Sequence, residues 1–219
     1  MKLKSVDISR TASAATIVFE ALRKAIIEGE LQDGEPLRQD EIARMFNTSR
    51  IPVREAISRL EEQGLVKSQR YKGAVVAGLS LEEASEVFDF RALVECEVIR
   101  RAVPQMSPTL LAEARAYCED FAASPNPMDW GDLNRKFHGA LYSACALPYH
   151  ISVVDNAMDR IDRYLRAQLV LSDGMERANI EHLAILEACE KGDAERAAAL
   201  TLAHIEGAKA SLAEHMKSR

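Results

Sequence analysis

Aromatic residues make up only 5% of this 219-residue chain, although hydrophobic residues as a whole reach 47%. The apolar content excludes wholesale disorder, and apolar bulk drawn from alanine and leucine suits packed helices better than a sheet sandwich. No run of about 18 apolar residues occurs, so no membrane-spanning helix is expected. The polar start Met1-Lys2-Leu3-Lys4 lacks the hydrophobic segment of a signal peptide, and a cytoplasmic protein with no membrane partner is the expectation. Cys96, Cys118, Cys145 and Cys189 stand far apart with no CxxC pair. That spacing excludes zinc-finger and disulfide frameworks and leaves reduced core residues.

Positive charge is also scarce, with a net of −6. The deficit is uneven: residues 1–78 carry 13 Lys+Arg against 11 Asp+Glu, and the remainder 15 against 23, giving +2 and −8. From Arg38 to Lys72 the count is 8 against 5. This modest basic surface lies in the part of the chain with the densest motif. Ile42, Ala43 and Phe46 give one short helix an apolar side, and Val53, Ala56, Ile57 and Leu60 repeat at helical spacing on a second. Asn47 stands where the chain must turn sharply, Ser49 is placed to cap the second helix, and Pro52 is acceptable in its first turn. Arg50 and Arg54, four apart, leave the same side near that helix's N-terminus, the end that enters a major groove in helix-turn-helix proteins. Two short strands, 65–69 and 74–77, flank the basic tip Arg70-Tyr71-Lys72-Gly73 and read as a wing. Upstream, Ile17, Val18, Ala21, Leu22, Ala25 and Ile26 form a helical stripe that completes a small core, while residues 1–11 are polar and read as mobile.

The run Ser49-Arg50-Ile51-Pro52-Val53-Arg54-Glu55-Ala56, followed by Leu60-Glu61-Glu62-Gln63-Gly64-Leu65-Val66, resembles the GntR family of winged helix-turn-helix transcription regulators. The resemblance implies a double-stranded DNA operator as partner. It also places Ser49, Arg50, Pro52, Arg54, Lys72 and Gly73 at DNA-contacting positions, with Arg38 at the head of the same stretch. Asn47 stands where the family often has glycine, and Ile51 where it often has threonine. The second difference exchanges a polar contact for an apolar one. A single winged domain buries too little DNA for tight specific binding, so a homodimer on a pseudo-palindromic operator is expected.

Ser80-Leu81-Glu82-Glu83 is a capping box and sets the domain boundary, with residues 1–78 the winged domain and 79–219 a second one. Helical signals then give six helices, broken at Pro104, Ser124-Pro125-Asn126-Pro127, Pro148, Ser172-Asp173-Gly174 and Gly192, with Asp193 capping the last. The fold class is therefore mainly α, a winged helix-turn-helix with a small hairpin followed by an all-α bundle. His138 follows Asn134 by one turn beside the Leu133, Phe137, Leu141 stripe. His182 shares a stripe with Ile185, Leu186 and Cys189, and His204 one with Leu200, Gly207, Ala208 and Ser211. Each is either a hydrogen-bonded core histidine or, if three helices converge, part of a site for a divalent transition metal.

The segments around Asn134 and His138, Glu181-His182 and Ala203-His204 are similar to the metal-binding positions of the FadR-type C-terminal domain, a bundle of six or seven helices. The resemblance implies Asn134, His138, His182 and His204 as ligands to zinc, nickel or manganese, with Asn134 in place of the usual aspartate. Asparagine brings no charge, so a filled site favours an anionic effector, a small carboxylate metabolite. Arg91 lies on the apolar side of the first bundle helix, and its charge is answered by Glu95 or by that carboxylate. Arg163 and Arg166 are weaker candidates of the same kind for the effector, and solvation is the first expectation for both. The expected function is DNA-binding regulation modulated by an organic acid, most simply through the metal. The alternatives are a metal-free pocket, a structural DNA-bridging protein or a metal-dependent hydrolase. The last lacks an evident general base, because Glu181 leaves its helix about 100° from His182, so an enzyme is not expected.

Overall fold

Helical periodicity becomes helix along most of the computed structural model, which describes residues 13–171 and 174–217. The polar segment 1–11 and the break at Ser172-Asp173 lie outside the described residues. The chain divides after Gly78 into two compact units.

In the first unit, α1 (Ala14–Ile27) is capped by Ser13, whose hydroxyl accepts from the Thr16 amide at 3.1 Å. Helices α2 (Gln39–Met45) and α3 (Arg50–Glu62) follow, then strands β1 (Val66–Gln69) and β2 (Gly73–Val76). Val53, Ala56, Ile57 and Leu60 of α3 are buried against Val18, Phe19, Leu22 and Ile26 of α1 and Ile42 and Ala43 of α2. The α1 stripe is rotated from the expected one: Phe19 is inside, and Ile17 is 52% exposed. The Val18, Leu22, Ile26 row fixes the buried side, and Ile17 lies about 100° round from Val18.

The strands pair antiparallel from Val66 opposite Val76 to Gln69 opposite Gly73, one residue offset from the expected spans. A further segment flanks β2: the Gly34 amide donates to the Val76 carbonyl at 3.0 Å, Leu37 to Ala74 at 2.8 Å, and Val76 to Glu35 at 2.9 Å. Pro36 sits in this segment, which is allowed at an edge because a proline there forfeits no ladder bond.

The second unit holds α4 (Leu81–Ala102), a 3-10 turn at Val103–Gln105, α5 (Pro108–Ala123), α6 (Pro127–Ser143), α7 (Pro148–Leu171), α8 (Gly174–Glu190) and α9 (Ala194–Lys217). The capping box is present in both directions, Glu83 amide to Ser80 hydroxyl at 3.1 Å and Ser80 amide to Glu83 carboxylate at 2.8 Å. Pro104 converts the end of α4 into the 3-10 turn. Asp193 caps α9 by accepting from the Arg196 amide at 2.9 Å. Phe88, Ile99, Phe137, Leu141, Ile161, Ile185, Leu186, Ile205 and Leu212 fill the centre. The four cysteines are free thiols; burial pushes Cys189 up to about 12, which keeps it protonated and inert.

Helix α6 is tied to α7 by buried charge. Asp159 and Asp162 of α7 are 3% and 1% exposed. Arg135 reaches Asp159 at 2.8 Å and Asp162 at 3.7 Å, while Arg166 reaches Asp162 at 2.7 Å and Asp132 at 2.6 Å. Arg166 is thus half-buried and paired rather than solvated; burial lowers its pKa, but Asp162 and Asp132 outweigh that and raise it. Gly131 makes room for it: a methyl group there would lie 2.5 Å from Cζ and 2.7 Å from Cγ of Arg166. A Gly→Ala change inside a helix ordinarily stabilises by up to about 1 kcal/mol. Gly131→Ala is expected to do the reverse, by roughly 1–3 kcal/mol, because the guanidinium must leave its partners. Urea denaturation of the two proteins measures the sign.

Candidate functional site

Asn47 has φ 47°, which lets the chain reverse between α2 and α3. Ser49 occupies the N-cap of α3 at φ −85° and ψ 170°, yet its side chain makes no capping hydrogen bond. The expected cap is therefore positional only, and the hydroxyl is not turned to the helix amides. Arg50, Ile51 and Arg54 are exposed on the first turns of α3, and Pro52 is half-buried. Arg50 pairs with Asp40, and Arg38 with Glu41 at 3.0 Å. Arg59 points elsewhere, lying over the Phe19 ring at 3.9 Å, and belongs to the core. Lys67, Arg70, Tyr71, Lys72 and Gly73 are exposed on the wing. The result is a helix N-terminus and a hairpin tip that together offer cations, amides and one apolar side chain, Ile51.

In the helical unit, α6, α8 and α9 bring His138, His182 and His204 together. One nitrogen of each ring lies within 4.8 Å of those of the other two. The rings are 5%, 0% and 7% exposed. Neither nitrogen of His138 or of His182 has a hydrogen-bond partner. His204 differs: its Nδ1 lies 2.7 Å from Oε2 of Glu181, so the tautomer that donates to this carboxylate leaves Nε2 as the acceptor. Phe137 and Phe121 pack on His182 with centroids 4.5 and 5.1 Å away. Burial first, then His182, His204 and Arg91, hold the His138 pKa well below the ordinary 6.5. Burial and then His204 do the same to His182.

Beside the cluster, Arg91 donates to Glu95 at 2.6 and 3.4 Å, and the Tyr142 hydroxyl donates to the same carboxylate at 2.7 Å. The His138 and Tyr142 rings are 5.9 Å apart. Asn134 lies half-buried one turn before His138 on α6. Leaving several buried ring nitrogens unbonded costs about 1–3 kcal/mol each, and a divalent cation is the species that three neutral imidazoles can satisfy at once. The donor set fits such an ion, since one nitrogen from each of three buried, neutral histidines lies within 4.8 Å of the other two.

Residues 14–76 match the family model for bacterial regulatory proteins of the gntR family, and residues 86–207 match the FCD domain. A solved transcriptional regulator and GntR family member from Pseudomonas syringae pv. tomato DC3000 is 32% identical, spanning 94% of this chain and 86% of that one, with a TM-score of 0.58. The HTH-type transcriptional regulator BphR of Paraburkholderia xenovorans is 29% identical over 212 residues, 92% of this chain and 86% of BphR. The HTH-type transcriptional repressor RspR of Escherichia coli K12 is 27% identical over 179 residues, 80% of this chain and 78% of RspR. The chain belongs to the GntR family.

In this GntR regulator the three histidines meet, and Arg91 is near enough to influence His138 while bonded to Glu95. The Nη2 of Arg163 donates to the Tyr164 hydroxyl at 3.0 Å, and its guanidinium lies 4.9 Å from the Tyr164 ring centroid. Sequence reading weighed Glu95 but missed Tyr142 and the Glu181 to His204 contact. A period-based signal existed for Tyr142, one turn beyond His138. None existed for Glu181, whose partner is 23 residues away on another helix.

Two outcomes are expected. Arg54→Ala weakens specific DNA binding by about 1–3 kcal/mol, whereas Lys72→Ala weakens binding to all sequences and flattens the salt slope. Titrations with selected and random duplexes at two salt concentrations distinguish them. In the metal-free protein, His138 and His182 stay neutral when folded but take up protons when unfolded. Stability is then full above about pH 6.5 and is lost as the pH falls below it, with up to about 1.4 kcal/mol per pH unit from each residue. Urea titrations across that range, repeated on His182→Phe, should show the slope diminish.

Proposed function

We propose that this chain is a homodimeric, operator-binding repressor whose helical domain takes a divalent metal at His138, His182 and His204, with Asn134 as a weak fourth ligand, and a carboxylate effector at that metal. The observation that carries the reading is the set of four buried ring nitrogens on His138 and His182 that have no partner. The contact from Glu181 to His204 supports it further, as the kind of carboxylate that orients a ligating imidazole. Bound there, the metal would supply a centre of positive charge that the four neutral side chains do not offset and Glu181 offsets only from behind His204, and an anion is its natural complement. Arg91 adds positive potential, although Glu95 already holds its guanidinium. A carboxylate effector therefore gains more from the metal than from Arg91, and Arg163 is a weaker contact still. Repression is supported by the printed role of the relative RspR. Homodimerisation is supported by the small DNA-reading surface of one winged unit. The relatives are regulators, which accords with a non-enzymatic role, and no helix among the described residues is long and apolar enough to cross a membrane.

Calorimetric titration of chelator-treated protein with zinc, nickel and manganese tests the metal. One ion per chain is expected, lost in His182→Ala and tightened on the order of tenfold in Asn134→Asp. The same Asn134→Asp variant should bind carboxylates more weakly, since its added charge opposes them. Absence of binding by all three ions would return the histidines to a metal-free pocket in which they donate directly to the ligand.

A further inference from the structure

The chain passes from one unit to the other at Gly78, and each unit holds the amide nearest to it. On the near side the Ala77 amide donates to the Leu65 carbonyl at 2.9 Å, which extends the hold of the winged unit one residue past β2. On the far side the Leu79 amide donates to the Tyr164 hydroxyl of α7 at 2.9 Å. Only the α-carbons of Ala77 and Gly78 lie between these amides, with two soft torsions at each. The Tyr164 hydroxyl is itself oriented: Nη2 of Arg163 donates to it at 3.0 Å, so both of its lone pairs receive N–H donors. The Tyr164 ring is half-buried and packs against the core of the helical unit, as does the Leu79 side chain. Apolar packing keeps Leu79 in place without fixing its rotation, whereas a hydrogen bond weakens steeply off line and so fixes the peptide plane. The next amide along, that of Ser80, is held by Glu83 at 2.8 Å. Without the Tyr164 hydroxyl the free stretch therefore gains one residue, Leu79, and about 3.5 Å of reach.

We infer that Tyr164 is a positioning residue for operator recognition: by holding the Leu79 amide it keeps the tether of the winged unit too short to serve half-sites at more than one spacing. The inference rests on the homodimeric DNA-binding reading above and deepens it. Two winged units on one duplex must meet half-sites on the same face, about 10 base pairs apart or a multiple of that. Moving one half-site by a single base pair shifts it about 3.4 Å and turns it about 35° round the axis. That shift matches the reach of one released residue, so a held Leu79 rejects a displacement that a free Leu79 absorbs. A longer flexible tether also lowers the effective concentration of the second winged unit at its half-site, so release costs affinity at the correct spacing as well.

The test uses the full chain and a two-half-site duplex enriched from a random-sequence pool by the wild-type protein, together with versions whose spacer is one base pair longer or shorter. Wild type is expected to bind the altered spacers about tenfold more weakly. Tyr164→Phe, which keeps the ring and removes the acceptor, is expected to bind the original duplex several-fold more weakly than wild type and the three spacers within about twofold of one another. A Gly-Ser insertion after Gly78 in the wild-type chain should flatten the spacing profile in the same way, and Tyr164→Phe should add nothing to it, because a tether already lengthened has nothing left to lose. Hydrogen exchange reads the contact without DNA: the Leu79 amide should exchange at least about tenfold faster in Tyr164→Phe. If that variant is altered in fold, the insertion, which leaves Tyr164 and its partners in place, carries the test. Tenfold spacing discrimination kept by Tyr164→Phe or by the insertion, or an unchanged exchange rate at Leu79, overturns the inference while leaving the regulator reading intact. A wild type that enriches no two-half-site duplex overturns the dimeric DNA-binding reading and the inference with it.

Discussion

Three imidazoles share one dry space between α6, α8 and α9, and much of the helical unit is arranged around the cost of keeping them there. Burial alone would favour apolar residues at His138 and His182, because four ring nitrogens go unbonded. Their neighbours make protonation unfavourable as well, since His182, His204 and Arg91 oppose charge on His138 and His204 opposes it on His182. A neutral imidazole is the form that coordinates metal. The features that make the site poor as a core are therefore the ones that the proposed metal site would use. Phe121 and Phe137 keep His182 from water, and Glu181 fixes one tautomer of His204 from the rim.

Ring nitrogens on three helices keep their spacing only if the helices do not slide. Helix α6 carries both Asn134 and His138, and an adjacent flank is held to α7 by Arg135, Asp159, Asp162, Arg166 and Asp132. Such a buried network is weak evidence for stability, because desolvation opposes its Coulombic gain. Its geometric demands are strict, however, and Gly131 shows how closely the chain accommodates them. A leucine-lined α6–α7 contact would pack as firmly while tolerating a shift along the helix axis. Charge pairs with fixed partners do not, which suits a helix whose His138 keeps its place against His182 and His204.

What the sequence made legible is what local chemistry controls. Ser80 and Glu83, Pro104, Asp193 and Asn47 act within four residues of themselves, and each does in the structure what its type and position imply. The inward histidines were legible by period, because each shares a helical face with residues that had to be buried. Their convergence came only through resemblance, since periodicity places a residue on a face without saying which faces meet. The same limit hid Glu181 from His204, Asp132 from Arg166 and Tyr142 from Glu95, pairs separated by 23, 34 and 47 residues. It also explains the mistaken reading of Arg166 as solvated, for a charged residue near a helix end looks exposed until its partner on the neighbouring helix is known. The 34–37 segment was hidden for a different reason: its glycine, glutamate and proline carry no strand signature, and only the free edge of β2 draws it into line.

The winged unit works with little charge, and that limits how it can recognise DNA. A net of +2 over residues 1–78 supports only a weak sequence-independent attraction. Arg50 and Arg38 are moreover held by Asp40 and Glu41 in the free protein, so bringing either to DNA exchanges one ion pair for another. Such exposed pairs are worth at most about 1 kcal/mol, a small opposing term that nonetheless reduces the gain from indiscriminate phosphate contact. Specific contacts that need no such exchange then count for more; Ile51 is exposed on α3, and an apolar side chain there is suited to a thymine methyl group rather than to a phosphate. A protein built this way loses little affinity to salt and much to a wrong base, which is the balance a regulator needs when most of the DNA it meets is not its operator.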